Sequence, residues 1–425
     1  MANDNDLLEE FPEKTREQLR TLWGDLPEPL QLTLRGAVKL LPGDFKRWRM
    51  LLGMALSQFK IAAGQKHRVA IVGPANAGKS TLYNQFVREQ KDRALVSPVP
   101  GTTRENQEAD AGLFGIVDTP GADAVGEIGE LEKDRALSAA DKADFLVLVF
   151  DATQGIRKSE QELYREFVGL EKPVVVVLNK IDLVRKERDK VVAKAAANLG
   201  LAMYQVIPIS AKDGTNLERV MVAIAKTEPE MVAALGRALP EYRWKLAWTA
   251  ITGAASTAAV IALTPLPIFD VIPLLAVQIS MVLGIARIYK YEITWERARE
   301  LIVTFGLGFL GRSIFQELSK IGGPPGWLIS AAIASSTTAV MGYAAVLWFE
   351  RGERLTGETM KQVTKAVTAY LLDSLRSLGQ RKPGNKGLRD RMAAALEKSQ
   401  LASGAAPSAD AAAPLEGPLP EPKSS

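Results

Sequence analysis

The chain has 425 residues, 53 of them Lys or Arg against 49 Asp or Glu, and hydrophobic residues make up 47%. That length suggests two or three domains at about 150 residues each, and the apolar share excludes global disorder. There is no cysteine and a single histidine, His67. Disulfides, thiolate metal sites, cysteine nucleophiles, His-based triads and multi-His metal centres are therefore excluded within one chain, and a net charge of +4 gives no argument for nucleic acid.

Residues 1–34 are acidic, and residues 35–68 are basic, with eight Lys or Arg against Asp44 alone. Within the basic block Phe45, Trp48, Leu52, Ala55 and Phe59 recur at three- and four-residue steps. One apolar helix face follows, which either docks on a neighbouring domain or lies on an anionic membrane surface. The first thirty residues lack the apolar run of a secretory signal, so none is expected. We assign 1–66 to an N-terminal helical region.

From 67 to 230 short apolar runs alternate with amphipathic stretches. The runs are Val69–Val72, Leu113–Val117, Phe145–Phe150, Val174–Leu178 and Val206–Ile209. Helix-like segments fall near 79–90, 132–141, 158–170, 185–199 and 215–226. This pattern predicts an α/β domain with a mostly parallel, doubly wound sheet, its strands covered by helices on both faces. His67 reads as a residue at the start of the first strand.

Gly73-Pro74-Ala75-Asn76-Ala77-Gly78-Lys79-Ser80 fits GxxxxGK[ST] between a strand and a helix. Glycines let the backbone wrap so that successive N–H groups point at phosphate oxygens, and the helix start adds positive potential. Lys79 would bridge the β- and γ-phosphates and Ser80 would bind Mg²⁺, with Thr81 opening the helix beside it. Asp118-Thr119-Pro120-Gly121 ends the second apolar run. Asp118 would hold Mg²⁺ through water, and the Gly121 N–H would sense the γ-phosphate. Asn179-Lys180-Ile181-Asp182 follows the fourth run, where Asp182 would accept from guanine N1–H and N2–H₂. Adenine cannot supply that pair of donors, and an unpaired buried carboxylate is costly. The motif therefore selects GTP and GDP over adenine nucleotides. Ser210-Ala211-Lys212 ends the last run, where the Ala211 N–H would meet guanine O6.

With these motifs in this order, residues 67–226 resemble the translation-factor class of GTPases, and more narrowly the TrmE–Era–EngA group. The resemblance implies a P-loop GTPase. Pro100-Gly101-Thr102-Thr103-Arg104 looks like that group's first switch, with Thr103 matching the Thr that binds Mg²⁺ in the GTP state. Asn76 matches the P-loop Asn that helps hold K⁺ in potassium-activated members, and the backbone of 97–102 would complete such a site. Ala122 follows Gly121 where Ras-like enzymes carry a water-orienting Gln. Intrinsic hydrolysis should accordingly be slow, assisted by a cation, by a homodimer partner bound through this domain, or by a carboxylate among Glu127, Glu130 and Glu132. Glu130 stands nearest the position used by TrmE-like enzymes.

The next region, 231–380, is far more apolar. No charge occurs in Leu246–Phe269, Val271–Ala286 or Ile321–Phe349, and a membrane-spanning helix needs about 20 apolar residues. Trp244, Trp248, Trp327 and Trp348 stand near the ends of these stretches, with Arg243, Lys245, Arg351 and Arg354 outside them, as in an interface belt. The prolines of Thr264-Pro265-Leu266-Pro267-Ile268-Phe269-Asp270 break the helix and predict a hairpin near 246–264 and 271–289. The alternative is a soluble Ala-rich bundle whose core helices are apolar all round. This half resembles a bacterial domain family of unassigned function, described as membrane-associated, that occurs fused to Era-like GTPases. The match rests on the Gly-Ala-Ala-rich helix, the Pro-Leu-Pro-Ile-Phe-Asp turn and Gln278-Ile279-Ser280-Met281-Val282. Gly308-Phe309-Leu310-Gly311 has KH-loop spacing but apolar flanks, so RNA and DNA are set aside as partners. Residues 381–425 are Ala-, Pro- and Ser-rich and are expected to be a disordered tail.

The expectation is thus a membrane-associated GTPase switch on the cytoplasmic face of the inner membrane, with guanine nucleotide and lipid as partners. The alternative is a soluble, cytoplasmic Era-like GTPase of ribosome or tRNA maturation with a helical protein-binding module. A GTP-gated channel is a third reading, for which Asp270 and Arg312 supply the only ionisable groups in the spans.

Overall fold

The structure, a computed structural model, describes residues 68–86, 113–116, 137–138, 140–263, 271–291, 325–376, 383–404 and 412–413. The N-terminal region expected at 1–66 lies outside the described residues, as do Asp270, Arg312 and the Gly308–Gly311 stretch. One compact unit falls within Lys60–Ala250 and takes in Arg287–Tyr289; the other falls within Ile251–Ala286 and Lys290–Ser425.

The first unit is built on a five-stranded sheet. Its strands are β1 (Val69–Val72), β2 (Phe114–Ile116), β3 (Phe145–Asp151), β4 (Val174–Asn179) and β5 (Val206–Pro208). They run in the order β2-β1-β3-β4-β5, and every pair is parallel. β3 is central and buried at all seven positions, which explains why it reads Phe-Leu-Val-Leu-Val-Phe with no polar alternation. Register sets Val72 beside Leu148 and Asp151 beside Asn179, so the carboxyl ends of β1, β3 and β4 share one edge. β1 has β2 on one side and β3 on the other. The chain therefore reverses its winding direction at β1, and ligands of open α/β sheets bind at such a switch point.

The helices of this unit are α1 (Lys79–Phe86), α2 (Lys158–Gly169), α3 (Arg188–Leu199), α4 (Leu217–Thr227), α5 (Val232–Ala238) and the start of α6 (Arg243–Ile261). Local chemistry sets their ends. The Glu160 carboxylate accepts from the Arg157 N–H at 2.8 Å and closes the first turn of α2. Gly200, at φ +70°, ends α3 in the left-handed conformation. Phe86 on α1 stacks on Phe114 of β2 with ring centroids 4.9 Å apart, which fixes α1 against the sheet.

The second unit is helical. It contains the rest of α6, most of α7 (Val271–Ile288), α8 (Gly326–Arg351), α9 (Gly357–Ser374) and α10 (Asn385–Glu397), with a two-stranded antiparallel pair of β6 (Arg354–Leu355) and β7 (Ala412–Ala413). α8 starts after Pro325 and stops at Gly352, φ +70°. Among the described residues it is the helix long and apolar enough to cross a membrane, and its apolar stretch is entirely buried inside the protein. Gly342 lets α6 and α7 approach it closely: a Cβ there would stand 2.5 Å from Ile251 Cγ1 and 2.9 Å from Met281 Sδ. Buried hydroxyls are tied across the bundle. Ser336 Oγ and Thr368 Oγ1 lie 2.6 Å apart, and Gln278 Nε2 donates to Thr338 Oγ1 at 3.2 Å.

One expectation is corrected here. Residues 385–397, assigned to a disordered tail, form α10, which buries Leu388, Met392 and Leu396. These apolar residues recur every four positions, one face of a helix. The polar, Ala-rich composition around them concealed that face.

Candidate nucleotide site

The loop after β1 wraps back on itself before α1. Asn76 takes φ +60°, and Gly73 and Gly78 take φ +147° and +93°. A Cβ at Gly73 would fall 2.1 Å from the Val149 carbonyl oxygen of β3, and one at Gly78 would fall 2.2 Å from Asn179 Nδ2. Both glycines are therefore demanded by close approach as well as by conformation. The Ala77 N–H donates to Pro74 O at 3.3 Å and the Leu82 N–H to Gly78 O at 2.9 Å, which carries the loop into α1. Lys79 is buried, and its ammonium donates to Gly73 O at 2.8 Å and Pro74 O at 2.9 Å. A cation and a helix start thus face one backbone cradle. Ser80 and Thr81, half-buried, stand in the first turn of α1.

The loop after β4 meets this cradle directly. Asn179 is 3% exposed. Its Nδ2 donates to Ala77 O at 2.9 Å, and its Oδ1 accepts from the Ala211 N–H at 2.9 Å. One carboxamide therefore ties the phosphate loop to the Ser210–Lys212 loop. Lys180 follows with φ +64° and opens the short turn Ile181–Leu183 that carries the half-exposed Asp182. The Ser210 N–H donates to Thr215 O at 3.2 Å, which folds the last loop back upon itself. Hydrogen bonds from the Thr215 hydroxyl and N–H hold the Asp213 carboxyl below the usual carboxylate range.

The structure thus brings together Gly73, Asn76, Ala77, Gly78, Lys79, Ser80 and Thr81 with Asn179, Lys180, Asp182, Ser210, Ala211 and Lys212. Asp118, Gly121, Thr103 and Glu130 lie outside the described residues, with the backbone of 97–102. One detail differs from expectation. The Ala211 N–H, expected to meet guanine O6, is engaged by Asn179 Oδ1.

Two contributors were missed. Asp151, at the end of β3 and 4% exposed, accepts from Lys180 Nζ at 2.6 Å and from the Thr153 N–H and hydroxyl at 2.8 and 2.7 Å. Its signal was the one polar residue closing an otherwise apolar strand. Gln85 of α1 donates from Nε2 to Ala211 O at 2.7 Å, a contact that no local pattern announces.

The arrangement fits a phosphate-bearing ligand: the loop runs into the start of α1, where N–H groups gather, and the buried Lys79 ammonium stands beside it. Among the described residues no group of three His, Asp or Glu could hold a metal on its own. Ser80, expected to hold Mg²⁺ beside the phosphates, stands in the first turn of α1.

The family described as 50S ribosome-binding GTPase matches residues 68–180, and a domain of unknown function, DUF697, matches residues 245–373. The tRNA modification GTPase MnmE of a Synechocystis species is 38% identical over 166 residues, 35% of this chain and 35% of its own length. GTPase Der of Thermotoga petrophila is 32% identical over 237 residues, 53% of each chain. The chain thus spans between about a third and a half of the length of these relatives. A crystal structure of Aquifex aeolicus Era bound to GDP and AlF₄⁻ is 27% identical, with a TM-score of 0.31, over 48% of this chain and 69% of that one.

Proposed function

We propose, from a GTPase domain of the Era, Der and MnmE type joined to a separate DUF697 domain, that the chain binds GTP with Mg²⁺, hydrolyses it slowly to GDP and phosphate, and uses the reaction as a conformational switch. The observation that carries this reading is the pair of hydrogen bonds made by the Asn179 carboxamide. It joins the phosphate cradle to the two loops that would read the base, so one ligand must satisfy both. In the reaction, water attacks the γ-phosphorus in line, the bond to the β–γ bridging oxygen breaks, and GDP leaves. Lys79 and the N–H groups of the cradle stabilise the charge on the transferring group. Mg²⁺, when bound, neutralises phosphate charge. Thr103 and Gly121 would be held while the γ-phosphate is present and released on its loss. Because Ala122 stands where a water-orienting Gln would, the assisting group is K⁺ beside Asn76, Glu130, or a second copy bound through this domain. Titration with fluorescent GDP and Mg²⁺, competed by ATP, tests the nucleotide. No binding, or equal competition by ATP, would overturn it.

The helical unit is proposed to attach the switch to the cytoplasmic face of the inner membrane. Support comes from the 26-residue apolar α8, with Trp327 and Trp348 near its ends and Arg351 at its close. The burial of its apolar stretch inside the protein favours a second reading, a soluble bundle with α8 as its core, in a GTPase acting on ribosome or tRNA maturation. Cell fractionation with a carbonate wash separates the two. Release of the full-length chain would overturn the membrane reading. GTPase rates in K⁺ against Na⁺, with and without liposomes, test the cation and the lipid together.

A further inference from the structure

We propose that Gln85 sets selectivity for the 6-position of the base by aiming the peptide between Ala211 and Lys212. This rests on the guanine-nucleotide reading above. Gln85 lies on α1, outside the motifs that define the site, and its Nε2 donates to Ala211 O at 2.7 Å across 126 residues of sequence. The preceding N–H, that of Ala211, is held at 2.9 Å by Asn179 Oδ1. The following N–H, that of Lys212, makes no intramolecular hydrogen bond among the described residues.

These three facts fix an orientation. In a trans peptide the carbonyl oxygen and the next N–H point in opposite directions. With Ala211 O turned toward α1 by Gln85, the Lys212 N–H is turned away from α1. Asn179 has already taken the neighbouring donor, so the Lys212 N–H is the donor of this loop left for an acceptor on the base. Guanine O6 is such an acceptor; adenine offers an amino group there and would set donor against donor. Asp182 reads N1–H and the 2-amino group, and Lys212 reads position 6. Gln85 touches no nucleotide atom and acts as a positioning residue. Its side chain is exposed, so its replacement leaves the core intact.

The test uses the full-length chain with Mg²⁺ and compares GDP with 6-thio-GDP, in which a weakly accepting sulfur replaces O6, and with inosine diphosphate, which keeps O6 but lacks the 2-amino group. Wild type should prefer GDP over the 6-thio analogue by about three- to ten-fold, the worth of one hydrogen bond. Gln85→Ala should bring that ratio toward one and leave the GDP-to-inosine ratio unchanged. Gln85→Lys, which restores a donor to the Ala211 carbonyl, should recover the first ratio. An unchanged 6-thio ratio in Gln85→Ala, a parallel fall of both ratios, or failure of the lysine to restore would overturn the proposal while leaving guanine binding intact. A wild type that does not prefer GDP over ADP would overturn the guanine reading and this proposal together.

Discussion

Asn179→Ala is the most informative perturbation of the site. The substitution removes two hydrogen bonds of 2.9 Å and strands Ala77 O and the Ala211 N–H in residues that are 0% and 1% exposed. Removing one partner leaves each buried group unsatisfied, at about 1–3 kcal/mol apiece unless water reaches it. Allowing partial relaxation, a loss of about 2–4 kcal/mol in the ordered, nucleotide-ready arrangement is expected, or GDP binding weaker by about 30- to 700-fold. Fluorescent GDP titration reads that loss, and urea unfolding of the same protein separates it from global destabilisation. A cycle with Gly78→Ala sharpens the test. The added Cβ would stand 2.2 Å from Asn179 Nδ2, so removing Asn179 relieves the clash and leaves the cost of φ +93°. The double variant should therefore be better than the sum of the single ones by about 1 kcal/mol or more. A GDP affinity in Asn179→Ala within about two-fold of wild type, or strict additivity in the cycle, would refute the coupling of the two loops.

Asp151→Asn keeps an acceptor for Thr153 but removes the charge facing Lys180. Because Lys180 is 31% exposed, the loss should be about two- to five-fold in GDP affinity, shrinking as salt rises; a salt-independent loss would contradict an ionic role. Glu160 has its carboxyl raised above 4.5, chiefly by burial and against the Arg157 N–H bond. The folded state therefore disfavours its ionised form, and its contribution to stability falls as pH rises from 4.5 through the raised folded value. Glu160→Gln should flatten that part of the stability profile in denaturant titrations across the acid range. Gly342→Ala forces a methyl group against Ile251 and Met281 and should lower stability by about 1–2 kcal/mol in thermal unfolding, the overpacking outweighing the gain in helix propensity.

The phosphate cradle was readable from sequence because its demands are local. Gly73 and Gly78 stand where the backbone turns and no side chain fits, and that requirement is written at their own positions. The parallel sheet was readable for a similar reason, since strands covered on both faces lose their polar alternation. Asp151 and Gln85 were not readable, because each acts through a partner brought near by register or by tertiary docking. Lys180 is 29 residues from Asp151, and Ala211 is 126 from Gln85. α10 was hidden by composition, its three apolar anchors diluted among Ala, Lys and Arg. α8 exposes a different limit. A helix apolar on every side has the same pattern whether lipid or protein surrounds it.

The carboxamide of Asn179 reaches back 102 residues to Ala77 and forward 32 to Ala211. In a chain leaving the ribosome the phosphate loop emerges first, but its tie to Asn179 can form only once β4 has docked, and the bond from Asn179 to the Ala211 N–H only once that residue has emerged. The loop-to-loop tie that completes the site is therefore made late in the life of the nascent polypeptide. It reports on the completion of the sheet, and bound GDP should favour the finished domain over any shorter intermediate by mass action.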